Sequence, residues 1–126
     1  MRIAIAGCGQ LARMLALAGW EMGHDFVFIA DPTENIDCVS GLGEVVLRDE
    51  ALSGDSLYAA LGKPDVVTVE KEHVSVPMLE SLSDHCLVAP SPEEYGFANI
   101  AAERKPCCSL WALPPPLSGW FRTGRP

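Results

Sequence analysis

The sequence predicts an α/β fold, a doubly wound parallel sheet of strand order 3-2-1-4-5, and three observations predict it. Arg2-Ile3-Ala4-Ile5-Ala6 is an apolar strand that runs into Gly7-Cys8-Gly9-Gln10-Leu11-Ala12 and then into a helical pattern. That is a strand, a glycine turn and a helix N-terminus in the G-x-G-x-x-G/A spacing. Five short strand-like runs alternate with helical stretches, which implies parallel strands joined by right-handed crossovers. The first, second and fourth runs are continuously apolar, as strands covered on both faces are.

The elements follow in chain order. Strands are expected at 2–6, 26–29, 45–47, 66–69 and 87–88, and helices at 10–22, 53–61, 76–84 and 91–104. In the opening turn Gly7 permits the tight bend, Gly9 lets a ligand approach the backbone, and Ala12 lets the helix pack on the strand. The free N–H groups of that helix end suit a phosphate. The same glycines can also do no more than close a βα unit. The second helix starts at Ser53 or Asp55. The last has the strongest start signal, with Ser91 as N-cap, Pro92 at N1 and Glu94 at N3 of a capping box. This is a Rossmann-like arrangement, with ligands expected at the carboxyl ends of strands 1 and 4, beside the point where the strand order reverses.

Composition narrows the function. The 126 residues are enough for one domain with a real core, and an apolar content of 48% favours folding. The net charge of −8 argues against nucleic acid and anionic membranes as partners. No apolar run is long enough to span a bilayer, and Arg2 is followed by only four apolar residues, so a cytoplasmic protein without a signal peptide is expected. Five cysteines with no C-x-x-C pair argue for reduced thiols and against a disulfide framework or a metal site. Cys8 lies inside the glycine turn, where it is either a reactive thiol or a small residue filling a small slot.

A second site is expected where strand 4 ends in Thr68-Val69-Glu70-Lys71-Glu72-His73-Val74. Two carboxylates two residues apart on extended chain point the same way, across the crevice from the glycine loop. A solvated strand end is the bland alternative. Lys71, between them, either pairs with the glutamates or faces water.

Together the two segments support a resemblance. Gly7-Cys8-Gly9-Gln10-Leu11-Ala12-Arg13-Met14 resembles the opening G-G-G-Q-L-G-R-M of the N5-carboxyaminoimidazole ribonucleotide synthase family. These are ATP-grasp ligases of purine biosynthesis, also called the ATPase subunit of phosphoribosylaminoimidazole carboxylase. Asp31-Pro32, the run from Asp65 to Val74 and Val88-Ala89-Pro90-Ser91-Pro92 are similar to that family too, so the likeness covers residues 1 to about 105. Cys8 and Ala12 stand where the family has glycine, and Lys71 where it has an apolar residue.

The resemblance implies a Rossmann-like pre-ATP-grasp domain that binds 5-aminoimidazole ribonucleotide. The family joins bicarbonate to that ribonucleotide with ATP and Mg2+, which are held mainly by later domains, and the full-length enzymes are implied to be homodimers. Carried onto this chain, Gly7, Gly9, Gln10 and Leu11 would line the ribonucleotide site, and Glu70 and Glu72 would face the aminoimidazole. Arg13 and Met14 read as structural. Arg104 would match an ATP-contacting arginine, with a register one turn different equally open. The chain by itself would then be an inactive fragment. The alternative is a small NAD(P)-binding Rossmann module, with Asp31 as its ribose-binding acid.

Residues 106–126 differ in kind. They contain no acid, yet hold five of the ten prolines and two of the three tryptophans. If the codons from Cys107 to Pro116 are read from the third base of the Pro106 codon, permitted synonyms spell L-L-Q-S-L-G-I-A-T-A-P. The second Leu and the Gly are forced by the code, and the string resembles the family's continuation. The expectation is a Rossmann-like domain over 1–105 and a frameshifted, disordered tail over 106–126. Sequencing the gene across codons 100–130 tests it, and an intact frame with no ATP-grasp sequence downstream would refute it.

Overall fold

In the computed structural model, residues 1–103 are described; Arg104 and the 106–126 segment, with the expectations attached to them, lie outside the described residues. The sheet is parallel and runs β3-β2-β1-β4-β5, the order expected from the sequence. Its strands are β1 (Arg2–Ala6), β2 (Asp25–Ala30), β3 (Glu44–Leu47), β4 (Val66–Val69) and β5 (Leu87–Ala89). The helices are α1 (Gln10–Glu21), α2 (Asp55–Ala60), α3 (Val76–Ser83) and α4 (Pro92–Glu103).

Alternation along the strands divides the core between two faces. Ala4, Ala6, Val27, Ile29 and Val67 turn to one face and pack with Leu57, Leu61, Leu79 and Leu82 from the α2 and α3 side. Ile5, Phe26, Phe28 and Ala30 turn to the other face, where Ala12 and Ala16 of α1 cover them. Helix α1 presents its smallest residues inward: Ala12, Ala16 and Gly19 are its buried positions. A Cβ at Gly19 would run into the Phe26 ring, so the close approach of helix and sheet depends on that glycine.

The capping box of α4 forms as expected. Glu94 N–H donates to Ser91 Oγ at 3.2 Å, and Ser91 N–H donates to the Glu94 carboxylate at 3.0 Å. Helix α2 starts at Asp55 after Gly54, the later of the two expected positions. Two features were not expected. Ser75 caps α3, accepting from Met78 N–H at 3.4 Å. The β2–β3 connection carries only a single 3-10 turn, Asp37–Val39, which buries Val39 beside α1.

The register levels the strand ends. Ala6 pairs with Ile29 on one side and Val69 on the other. Gly7 and Glu70 therefore leave adjacent strands side by side, with Asp31 one strand away. Gly7 N–H donates to Ile29 O and Glu70 N–H to Ala6 O, each at 3.0 Å, so the ladder extends into both loops.

Candidate ligand groove beside the strand-order reversal

The glycine loop and the β4 end meet in contact. Gly7 has φ +131°, a conformation that L side chains rarely adopt, and a Cβ there would collide with the Glu70 carboxylate. At Gly9 an added Cβ would lie 2.7 Å from Glu70 Oε1. The two glycines thus make room for Glu70, half-buried against them. After Val69 the chain leaves the extended conformation, and Glu72 is exposed. Both glutamates nonetheless line one groove of about 540 Å³, shared with His73 and with Tyr95, Ala98 and Asn99 of α4.

Other candidates lie elsewhere. Gln10 does not line the groove, and its amide reaches Cys38 Sγ at 3.3 Å. Leu11 is exposed on α1 and does not line the groove. Arg13 is structural, as read from the sequence, its guanidinium donating to Cys38 O at 3.0 Å. Met14 is 63% exposed.

Lys71 takes neither expected role. Its ammonium donates to Asp31 Oδ2 and to Glu34 Oε2, each at 2.6 Å, and pairs with neither flanking glutamate. Glu34 in turn accepts from Cys8 N–H at 2.9 Å and from Asp31 N–H at 3.0 Å. Arg48 approaches Asp31 at 3.4 Å. The Lys71 hydrogen bond holds the Asp31 carboxyl below its ordinary value. Burial opposes charge on Glu34, but the bonds from Lys71 and the two backbone N–H groups outweigh it and hold that carboxyl low as well. Burial likewise opposes the Lys71 charge, and the two carboxylates more than offset it, so its pKa is raised.

This network changes the reading of the glycine loop. The N–H that a dinucleotide phosphate would take, at Cys8, is held by an internal carboxylate, and Glu70 adds a second negative group to the loop. Asp31 is committed to two cations and is not free to hold a ribose. The geometry therefore disfavours the NAD(P) alternative. Cys8 is fully buried, and burial, reinforced by the Glu34 charge, pushes its thiol up to about 11. It is a protonated, inert space-filler at neutral pH.

Sequence reasoning missed Glu34 and Tyr95. Glu34 lies 26 residues from Cys8 and 37 from Lys71, so only the strand order, which brings the β1, β2 and β4 ends together, could have pointed to it. Tyr95 is buried on α4, and no motif in the sequence marks it. Among the described residues no cluster of three His, Cys, Asp or Glu side chains could hold a metal ion. No helix there is long and apolar enough to cross a membrane.

A parallel 3-2-1-4-5 sheet with an acidic groove over the carboxyl ends of β4 and β5 places the chain in the Rossmann-like class of α/β domains. The family is then plain: the chain belongs to the ribonucleotide synthetase pre-ATP-grasp domain family, whose model matches residues 1–99. It is 37% identical over 99 residues to the N5-carboxyaminoimidazole ribonucleotide synthase of Pseudomonas aeruginosa, covering 79% of this chain and 27% of that protein. The solved structure of N5-carboxyaminoimidazole ribonucleotide synthetase from Thermus thermophilus superimposes with a TM-score of 0.64 at 34% identity, covering 76% of this chain and 26% of that one. The Staphylococcus aureus N5-carboxyaminoimidazole synthetase complexed with ADP gives a TM-score of 0.60 at 28% identity, covering 75% and 25%. The chain spans about a quarter of the length of the relatives it matches.

Proposed function

We propose that the groove binds 5-aminoimidazole ribonucleotide and that this domain presents it to an ATP-dependent ligase that carboxylates its exocyclic amine with bicarbonate. The observation that carries this reading is the convergence of Glu70 and Glu72 on one groove, with the glycine loop behind Glu70. It is supported by family membership and by relatives named for N5-carboxyaminoimidazole ribonucleotide synthesis. A carboxylate facing the aminoimidazole accepts a hydrogen bond from its amine, which orients the nitrogen lone pair for attack. Glu72, exposed and without a partner among the described side-chain hydrogen bonds, is the residue for that contact. Glu70, packed against Gly7 and next to Glu72 in the groove, shapes its floor.

ATP belongs to the same reading, supported by the ADP carried by the Staphylococcus aureus relative. Glu34 holds the Cys8 N–H, the α1 N-terminus beyond it carries no side-chain cap and is left for the ribonucleotide phosphate, and no cluster for Mg2+ occurs among the described residues. ATP and Mg2+ are assigned to domains like those in the rest of the relatives' length, with Arg104 as this chain's candidate contact to ATP. Cytoplasmic location and homodimerisation of the full-length form complete the proposal.

Calorimetric titration of the chain with 5-aminoimidazole ribonucleotide and, separately, with NAD tests it. The ribonucleotide is expected to bind and NAD not to. Glu72→Gln is expected to weaken binding by about tenfold or more, the scale of a hydrogen bond to a charged group. Its stability should stay within about 1 kcal/mol, because Glu72 is exposed. Tighter binding of NAD, or a Glu72→Gln variant that melts early yet binds normally, would overturn the reading.

A further inference from the structure

The loop that carries both glutamates is neither strand nor helix, so its backbone groups need partners from outside it. Past Glu70, whose N–H goes to β1, one side chain supplies them. Tyr95, 7% exposed on α4, places its hydroxyl 2.6 Å from Glu72 O, 3.0 Å from Lys71 O and 2.8 Å from Val74 N. A phenol has one proton and can also accept. It donates to the Glu72 carbonyl, the nearer of the two, and accepts from Val74 N–H. The bond to Val74 is buried.

The rest of the loop is anchored on either side. Glu70 N–H is tied to β1, the Lys71 ammonium to Asp31 and Glu34, and the Val74 side chain to the core. Between those anchors Glu72 and His73 are exposed, and the Tyr95 hydroxyl holds the backbone on either side of His73, at the Glu72 carbonyl and the Val74 N–H. The Tyr95 ring also lines the groove.

We propose that Tyr95 is the positioning residue of this groove, its hydroxyl holding the 71–74 loop so that the Glu72 carboxylate is set for the ligand. This rests on the reading of the groove as a ribonucleotide site. Tyr95 does not touch the reacting amine; it acts through Glu72. Helix α4 thereby couples directly to the acidic loop, and a shift of the helix would move the carboxylate with it.

Tyr95→Phe in the full chain tests the proposal, because phenylalanine keeps the ring in the core and removes only the hydroxyl. Hydrogen exchange should show the Val74 amide losing protection while amides of β1 and β4 keep theirs. Affinity for 5-aminoimidazole ribonucleotide should fall on the order of tenfold, the scale of one lost hydrogen bond. Adding Glu72→Gln to Tyr95→Phe should then weaken binding much less than it does in the unmodified chain, since both changes remove the same contact. Fully additive losses would show that Tyr95 acts only on general stability, and unchanged Val74 protection would show that there is no clamp. Either result overturns the proposal. Failure of the unmodified chain to bind the ribonucleotide is a separate result that removes the ligand reading, and the Val74 amide then decides the clamp alone.

Discussion

Gly7→Ala is expected to damage fold and groove together. At φ +131° an alanine is strained by about 1–3 kcal/mol. Its Cβ would also run into the Glu70 carboxylate, which would have to swing aside. A domain of this size loses roughly 4–8 °C of melting temperature per kcal/mol. The variant should therefore melt clearly lower and bind the ribonucleotide poorly even where it is fully folded. Urea unfolding and calorimetric titration on the same preparation check both parts. Wild-type stability would show that the turn tolerates a side chain, and wild-type affinity would show that the placement of Glu70 does not matter to the ligand.

Phe28→Ala should be the most destabilising single truncation in the core. Phe28 is fully buried at the centre of the face covered by α1, among Ile5, Cys8, Ala12, Ala16 and Leu42. Most of these neighbours are small or held in strands, so they cannot collapse into the space left behind. The expected loss is about 3–5 kcal/mol. That is a large fraction of the roughly 5–15 kcal/mol that separates folded from unfolded domains. Phe97→Ala is the matching control: Phe97 is 75% exposed, and its truncation should change stability by less than about 0.5 kcal/mol. If the urea midpoints of the two variants coincide, the α1 face is not close-packed.

Much of the fold was legible because local patterns and global topology agree. Continuous apolar runs at 2–6, 26–29 and 66–69 are satisfied by strands covered on both faces, and they became β1, β2 and β4 within a residue. The capping box at Ser91 and Glu94 was legible because it is a four-residue device closed by its own atoms. The missing helix between β2 and β3 was equally visible in that no helical pattern occurs there, but the single 3-10 turn that replaces it has no periodicity to read. The Ser75 cap was missed because no Glu or Gln stands three residues on to close a capping box; Met78 offers only its backbone N–H.

The sequence by itself determined the parallel sheet and its order, the glycine loop, the acidic end of β4 and the family. Each of these is carried by residues adjacent in the chain, where spacing and residue type state the geometry. The tertiary structure alone decided what the charges do. Lys71 lies between two glutamates in sequence, yet bonds to Asp31 and Glu34, because the chain bends after β4 and the level strand ends bring those carboxylates within reach. The same register sets Glu34 on the Cys8 N–H and leaves Glu70 and Glu72 facing the groove. Coulomb attraction and hydrogen bonding depend on distance in space, and the partners here are separated by 26 to 40 residues of chain. No local pattern encodes such a pairing; it exists only once the strands have set their ends side by side.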